Sequence, residues 1–157
     1  MRCWSGIIRR MDTRVDLVAY DRLGTARVLV EVKNKPVSST SWAVEFRRNL
    51  LAHGRLPPAD YFVVATPTMI HIWKGAAGPE EPPAVSVNSR EYWPRYFRRS
   101  LPGPGSGAFE LIVASWLSDV AQHWDTHRPP EADARLLEEI GLPQAIRGGR
   151  VEHCVAA

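Results

Sequence analysis

The stretch Arg27-Val-Leu-Val-Glu-Val-Lys-Asn-Lys35, RVLVEVKNK, decides how this chain is read. Its branched residues favour an extended strand, and strand alternation separates it into two faces. Val28, Val30 and Val32 share one face and are expected to pack under the helix that follows the strand. Leu29, Glu31 and Lys33 share the other, so an acid and a base stand side by side where a buried strand would carry neither.

Upstream, residues 14–20 alternate in the same way. Val15, Leu17 and Ala19 lie on one face, and Arg14, Asp16, Val18 and Tyr20 on the other. The DRLGT run at 21–25 has turn chemistry, with Gly24 suited to positive φ. Two alternating runs across a short turn predict an antiparallel hairpin, which brings Asp16 close to Glu31.

Downstream, Pro36 stops the second strand and Ser38 to Ser41 offer N-caps for a helix over 42–53. Trp42, Phe46, Asn49, Leu50 and His53 form its expected stripe, Gly54 its C′ residue. Residues 60–66 read as a strand buried on both faces and 69–74 as a further strand. The order strand, strand, helix, strand, strand predicts an α/β protein with a mixed central sheet of about four to five strands, flanked by helices.

One domain over 1–157 is expected, with its core at about 12–74. A Pro/Gly-rich connection follows at about 75–108, and C-terminal helices at about 109–157, including patterns over 109–124 and 131–140. The tail at 150–155 reads as a last edge strand. No apolar run reaches the roughly 20 residues that cross a bilayer, and MRCWSGIIRRMD lacks a signal-peptide core, so no membrane association is expected. Cys3 and Cys154 stand far apart and read as inert thiols, which makes the cytoplasm the default location. The five histidines show no metal spacing, which argues against a zinc enzyme.

Two neighbouring carboxylates repel and favour a shared cation. Oxygen ligation suits Mg²⁺, or alternatively Mn²⁺. A lysine beside such an ion can orient a water and stabilise charge on a phosphate, which points to phosphodiester hydrolysis. The bland reading is a solvated hairpin face with a weak ion pair.

Asp16, separated by 14 residues from a Glu31-Val32-Lys33 strand that a helix follows, resembles the PD-(D/E)XK, or restriction-endonuclease-like, nuclease superfamily. The resemblance covers roughly residues 12–74 and implies a restriction-endonuclease-like core. It implies Asp16, Glu31 and the Val32 carbonyl as metal ligands and Lys33 as the residue that positions or activates water. It further implies a Mg²⁺-dependent endonuclease acting on DNA, with RNA as an alternative, working as a homodimer or within a larger assembly. Members of the family usually place a glutamate-bearing helix ahead of the first core strand. MRCWSGIIRRMD has no glutamate, so either the chain does without it or the 109–124 helix, through Glu110, supplies it. The rival reading is a silent domain of the same kind that binds nucleic acid or a partner protein.

The chain has 17 arginines against 3 lysines and a net charge of +3, compatible with a phosphate-bearing partner and equally with compositional bias. Lys35, Arg14, Arg95, Arg98 and Arg99 are candidate nucleic-acid contacts. The favoured reading of the aromatic-rich 90–99 segment is nonetheless a packed one, with aromatics over the sheet and arginines outward.

Overall fold

A computed structural model describes residues 15–35, 39–97 and 106–154. Six strands form one mixed sheet in the order β5-β4-β3-β2-β1-β6. They are β1 (Leu17–Tyr20), β2 (Ala26–Val32), β3 (Tyr61–Ala65), β4 (Met69–Lys74), β5 (Val85–Asn88) and β6 (Arg150–His153). Six strands correct the expected four to five. The unexpected one, β5, is a short edge strand whose Val85 and Val87 point inward while Ser86 and Asn88 are exposed. Its alternation lies directly behind Pro82 and Pro83, a context that reads as connection.

The hairpin forms as expected, with Leu17, Val18 and Ala19 opposite Val30, Leu29 and Val28. Asp21 Oδ1 accepts from the N–H groups of Leu23 and Thr25 at 2.9 Å each and holds the turn, in which Gly24 takes φ +84°. Helix α1 (Thr40–Ala52) carries the chain from β2 to β3, which pair in parallel; the other strand pairs are antiparallel. Ser39 caps α1 by accepting from Trp42 N–H at 3.2 Å, and Gly54 follows its end at φ +62°. Central placement explains the apolar run of β3, which has helices over both faces.

The two faces of the sheet are assigned opposite to expectation. Val28 and Val30 pack with α3 (Ser106–Gln122), α2 (Trp93–Phe97), α4 (Glu131–Glu139) and α5 (Leu142–Ile146). Helix α1 instead covers the face of Leu29, together with Val18, Phe62, Val64 and Trp73. Matching of apolar surface accounts for this. Helix α3 buries Ile112, Val113, Trp116, Leu117 and Val120 and needs the uninterrupted apolar face. Helix α1 has a narrower apolar side, and its buried residues are Ala43 and Arg47, while the expected stripe members Asn49 and His53 are exposed. Arg47 reaches that position by laying its guanidinium over the Trp73 ring, 5.5 Å from the centroid, and donating to the carbonyls of Gly78 and Ala77 at 2.8 Å each.

Among the described residues no helix is long and apolar enough to cross a membrane.

Candidate functional site

Asp16 stands where β1 bends. Its N–H donates to Val30 O on β2 at 3.0 Å, and its C=O accepts from Cys154 N, just beyond β6, at 2.9 Å. The bend also shifts the alternation. Val15 joins Val18 and Tyr20 in the α1-side cluster instead of sharing the face of Leu17 and Ala19 as expected.

Just beyond β2, Lys33 N–H donates toward β3, to Ala65 O at 2.9 Å. Strand geometry turns the N–H and C=O of the preceding residue, Val32, the opposite way, toward β1. There the Val32 N–H donates to Asp16 Oδ2 at 2.7 Å. The Asp16 carboxylate is thereby fixed, and the Val32 carbonyl faces the same side as Asp16.

Glu31 is 3% exposed and lies within hydrogen-bond reach of the Asp16 carboxyl. Lys33 Nζ lies 3.7 Å from Glu31 Oε2 and 5.1 Å from the centroid of the Phe46 ring on α1. Burial is the main force on the Glu31 carboxyl and pushes it up to about 8; the Asp16 charge adds to the rise and Lys33 opposes it. At neutral pH the pair therefore holds a proton that one lysine does not displace. A divalent cation would neutralise both carboxyls, and the donors here are hard oxygens of the kind Mg²⁺ and Mn²⁺ take. The chemistry of the donor set fits such an ion.

Lys35 is exposed at the end of the same strand, with Nζ 5.8 Å from the Trp42 ring centroid. Trp42 in turn stacks on Phe46 at 5.5 Å. A row of ammonium groups and rings, Lys33, Phe46, Trp42 and Lys35, thus leads away from the carboxyl pair along α1.

Other expected site residues lie elsewhere. Arg95 is exposed on α2, among helices that pack on the opposite side of the sheet from α1. In that segment Tyr92, Trp93 and Tyr96 are buried, donating to Asp133, Thr66 O and Asp119 respectively. Arg14, Arg98 and Arg99 lie outside the described residues. Glu110 pairs with His153 Nδ1 at 3.3 Å, and His153 stands opposite Leu17 of the α3-side cluster. Glu45 is exposed, and Arg48 pairs with Glu80 at 3.3 Å. His71 and Trp73 are buried packing residues, His71 bonded to Ser86 Oγ at 2.8 Å.

No family model, curated protein or solved structure matches this chain. The site is therefore interpreted from its own chemistry.

Two features were missed in the sequence. Asp119, His123 and His127 bring potential ligand atoms within 4.8 Å of one another, which corrects the reading that the histidines lack metal spacing. The signal was present as an acid and two histidines at four-residue intervals, hidden in the tail of an apolar helix pattern. Cys154 is disulfide-bonded rather than an inert thiol, and its partner lies outside the described residues. Strand β6 returns the C-terminal segment to the start of β1, so distance in sequence is a poor guide there. The inference from unpaired thiols to a reducing cytoplasm loses its premise.

Proposed function

We propose that this chain is a metal-dependent nuclease of the PD-(D/E)XK kind that hydrolyses DNA phosphodiester bonds. One observation carries the reading. A buried glutamate, a backbone-fixed aspartate and a lysine meet at one strand end, so that two carboxyls share a single ammonium group. A purely structural ion pair would have little reason to bury a second carboxyl against the first.

Asp16, Glu31 and the Val32 carbonyl are the groups that would hold Mg²⁺ or Mn²⁺. Such an ion supplies Lewis-acid charge at the scissile phosphate and lowers the pKa of a bound water. The Val32 N–H aims the Asp16 carboxylate, so that ligand is set before substrate arrives. Glu31 must release its proton to act as a ligand. Lys33, held between Glu31 and the Phe46 ring, donates hydrogen bonds to the attacking water and to a phosphate oxygen. Lys35 and the exposed edge of the Trp42–Phe46 stack offer a phosphate contact and a surface for a base.

The alternative is a silent domain of the same architecture that binds nucleic acid without cutting. Its support is that Glu110, the candidate third carboxylate, sits on the other side of the sheet. Incubation of the purified chain with supercoiled plasmid and Mg²⁺ or Mn²⁺ separates the two. Nicking that EDTA abolishes supports the nuclease; salt-dependent binding without nicking supports the silent domain.

A further inference from the structure

We propose that Asp119, His123 and His127 form a second metal site, separate from the Asp16–Glu31 pair, that takes a zinc-class first-row ion. Asp119 lies in the last turn of α3, and the two histidines follow it at four-residue intervals. The chain keeps helical hydrogen bonding past the end of α3, with His123 N–H donating to Asp119 O and His127 N–H to His123 O, each at 2.8 Å. That continuation stacks the three side chains on one side.

The spacing of the ligand atoms suits the ion. Asp119 Oδ1 and His123 Nδ1 are 3.3 Å apart, and all three ligand atoms lie within 4.8 Å. Bonds of about 2.0–2.1 Å in a tetrahedral set place neighbouring ligands roughly 3.3 Å apart, so only modest side-chain rotation is required. The His123 side chain is 58% exposed and can make that adjustment.

Outer contacts orient two of the three ligands. Tyr96 donates to Asp119 Oδ2 at 2.7 Å, which turns Oδ1 toward His123. The Thr126 hydroxyl lies 3.3 Å from His123 O and 3.2 Å from His127 Nδ1, within hydrogen-bond reach of both. A hydrogen bond at Nδ1 leaves Nε2 as the ring nitrogen available to an ion. Metal-binding histidines are commonly held in this way, by a hydrogen bond at the other ring nitrogen.

Two imidazoles and one carboxylate favour zinc, nickel or cobalt over magnesium, and three protein ligands leave a fourth position for water. His127 also borders a cavity of about 330 Å³ lined by Tyr92, Arg95, Tyr96, Trp116 and Arg128. All three ligands come from residues 119–127, so the ion would clip the end of α3 to the turn leading into α4.

The test is calorimetric titration of the whole untagged chain with Zn²⁺ in the presence of excess Mg²⁺, paired with the visible spectrum of the Co²⁺ form. Expected results are one Zn²⁺ per chain, a tetrahedral Co²⁺ spectrum, and at least tenfold weaker binding in His123→Ala and in His127→Gln. Glu31→Gln should bind Zn²⁺ as the parent does. Because His123 is exposed, His123→Ala should retain the parent's far-ultraviolet circular dichroism. Absence of Zn²⁺ binding by the parent, undiminished binding in both histidine variants, or loss of binding in Glu31→Gln would each overturn the proposal.

Discussion

The backbone N–H of Val32 donates a 2.7 Å hydrogen bond to Asp16 Oδ2, tying the residue inside the Glu-x-Lys strand to the aspartate across the hairpin. A charge-assisted bond of this kind is roughly twice as strong as a neutral one. It makes Asp16 both an anchor of the β1 bend and a fixed carboxylate beside Glu31.

Removing that acceptor should be measurable without any substrate. Asp16→Ala is expected to lower stability by about 1–3 kcal/mol, the usual range for orphaning a partner of a charged hydrogen bond. Asp16→Asn retains an oxygen acceptor and should lose less than half as much. Urea denaturation of the three proteins at pH 7 checks the order.

Glu31 makes stability fall as pH rises. Its folded-state pKa, about 8, lies above the ordinary value of 4.5, so the folded chain holds the proton more tightly than the unfolded chain. The associated stabilisation is fully present below pH 4.5 and is lost as pH climbs through about 8. Its upper bound is on the order of 5 kcal/mol. Glu31→Gln should therefore be more stable than the parent at pH 9 and gain little at pH 4, as read by thermal melts at both values. A parent whose melting temperature does not fall between those pH values would show that burial does not shift Glu31.

The same proton sets the metal requirement. Mg²⁺ must displace it, so apparent Mg²⁺ affinity should rise with pH and level off above about 8. In Asp16→Asn one of the forces raising Glu31 is gone, and the plateau should begin at lower pH even though affinity is weaker. Calorimetric Mg²⁺ titrations at pH 6, 7, 8 and 9 report both effects.

Much of this arrangement was legible in the sequence because period-two alternation is a strong signal over RVLVEVKNK and the run before it. The hairpin, the α1 crossover and the meeting of Asp16, Glu31 and Lys33 all follow from that alternation. What alternation does not reveal is which helix covers which face. That depended on the total apolar surface of α3, a helix far along the chain. Nor does it show the β1 bend, which is fixed from outside by the bond between Cys154 N–H and Asp16 O. The burial of Arg47 is not legible either, because its charge reads as exposed and the Ala77 and Gly78 carbonyls that receive it lie about 30 residues away.

Arg47 supplies a further check on the α1 side. Its guanidinium joins α1 to the loop after β4 through two carbonyls and lies over the Trp73 ring. Arg47→Ala should cost about 2–4 kcal/mol, since two charged hydrogen bonds and buried packing are lost together. Hydrogen exchange should show faster opening of residues 77–81, with smaller change in β1 and β6.

The most direct test of the central claim is the rate at which supercoiled plasmid is nicked by the parent and by Lys33→Ala in Mg²⁺ or Mn²⁺. Lys33 is partly exposed at the strand end, so its truncation should leave the fold intact. The expected result is nicking by the parent that EDTA abolishes, and a rate lowered by about 100-fold or more in Lys33→Ala. Equal rates for the two proteins, or no cutting by the parent with either ion, would contradict the assignment of Asp16, Glu31 and Lys33 to phosphodiester hydrolysis.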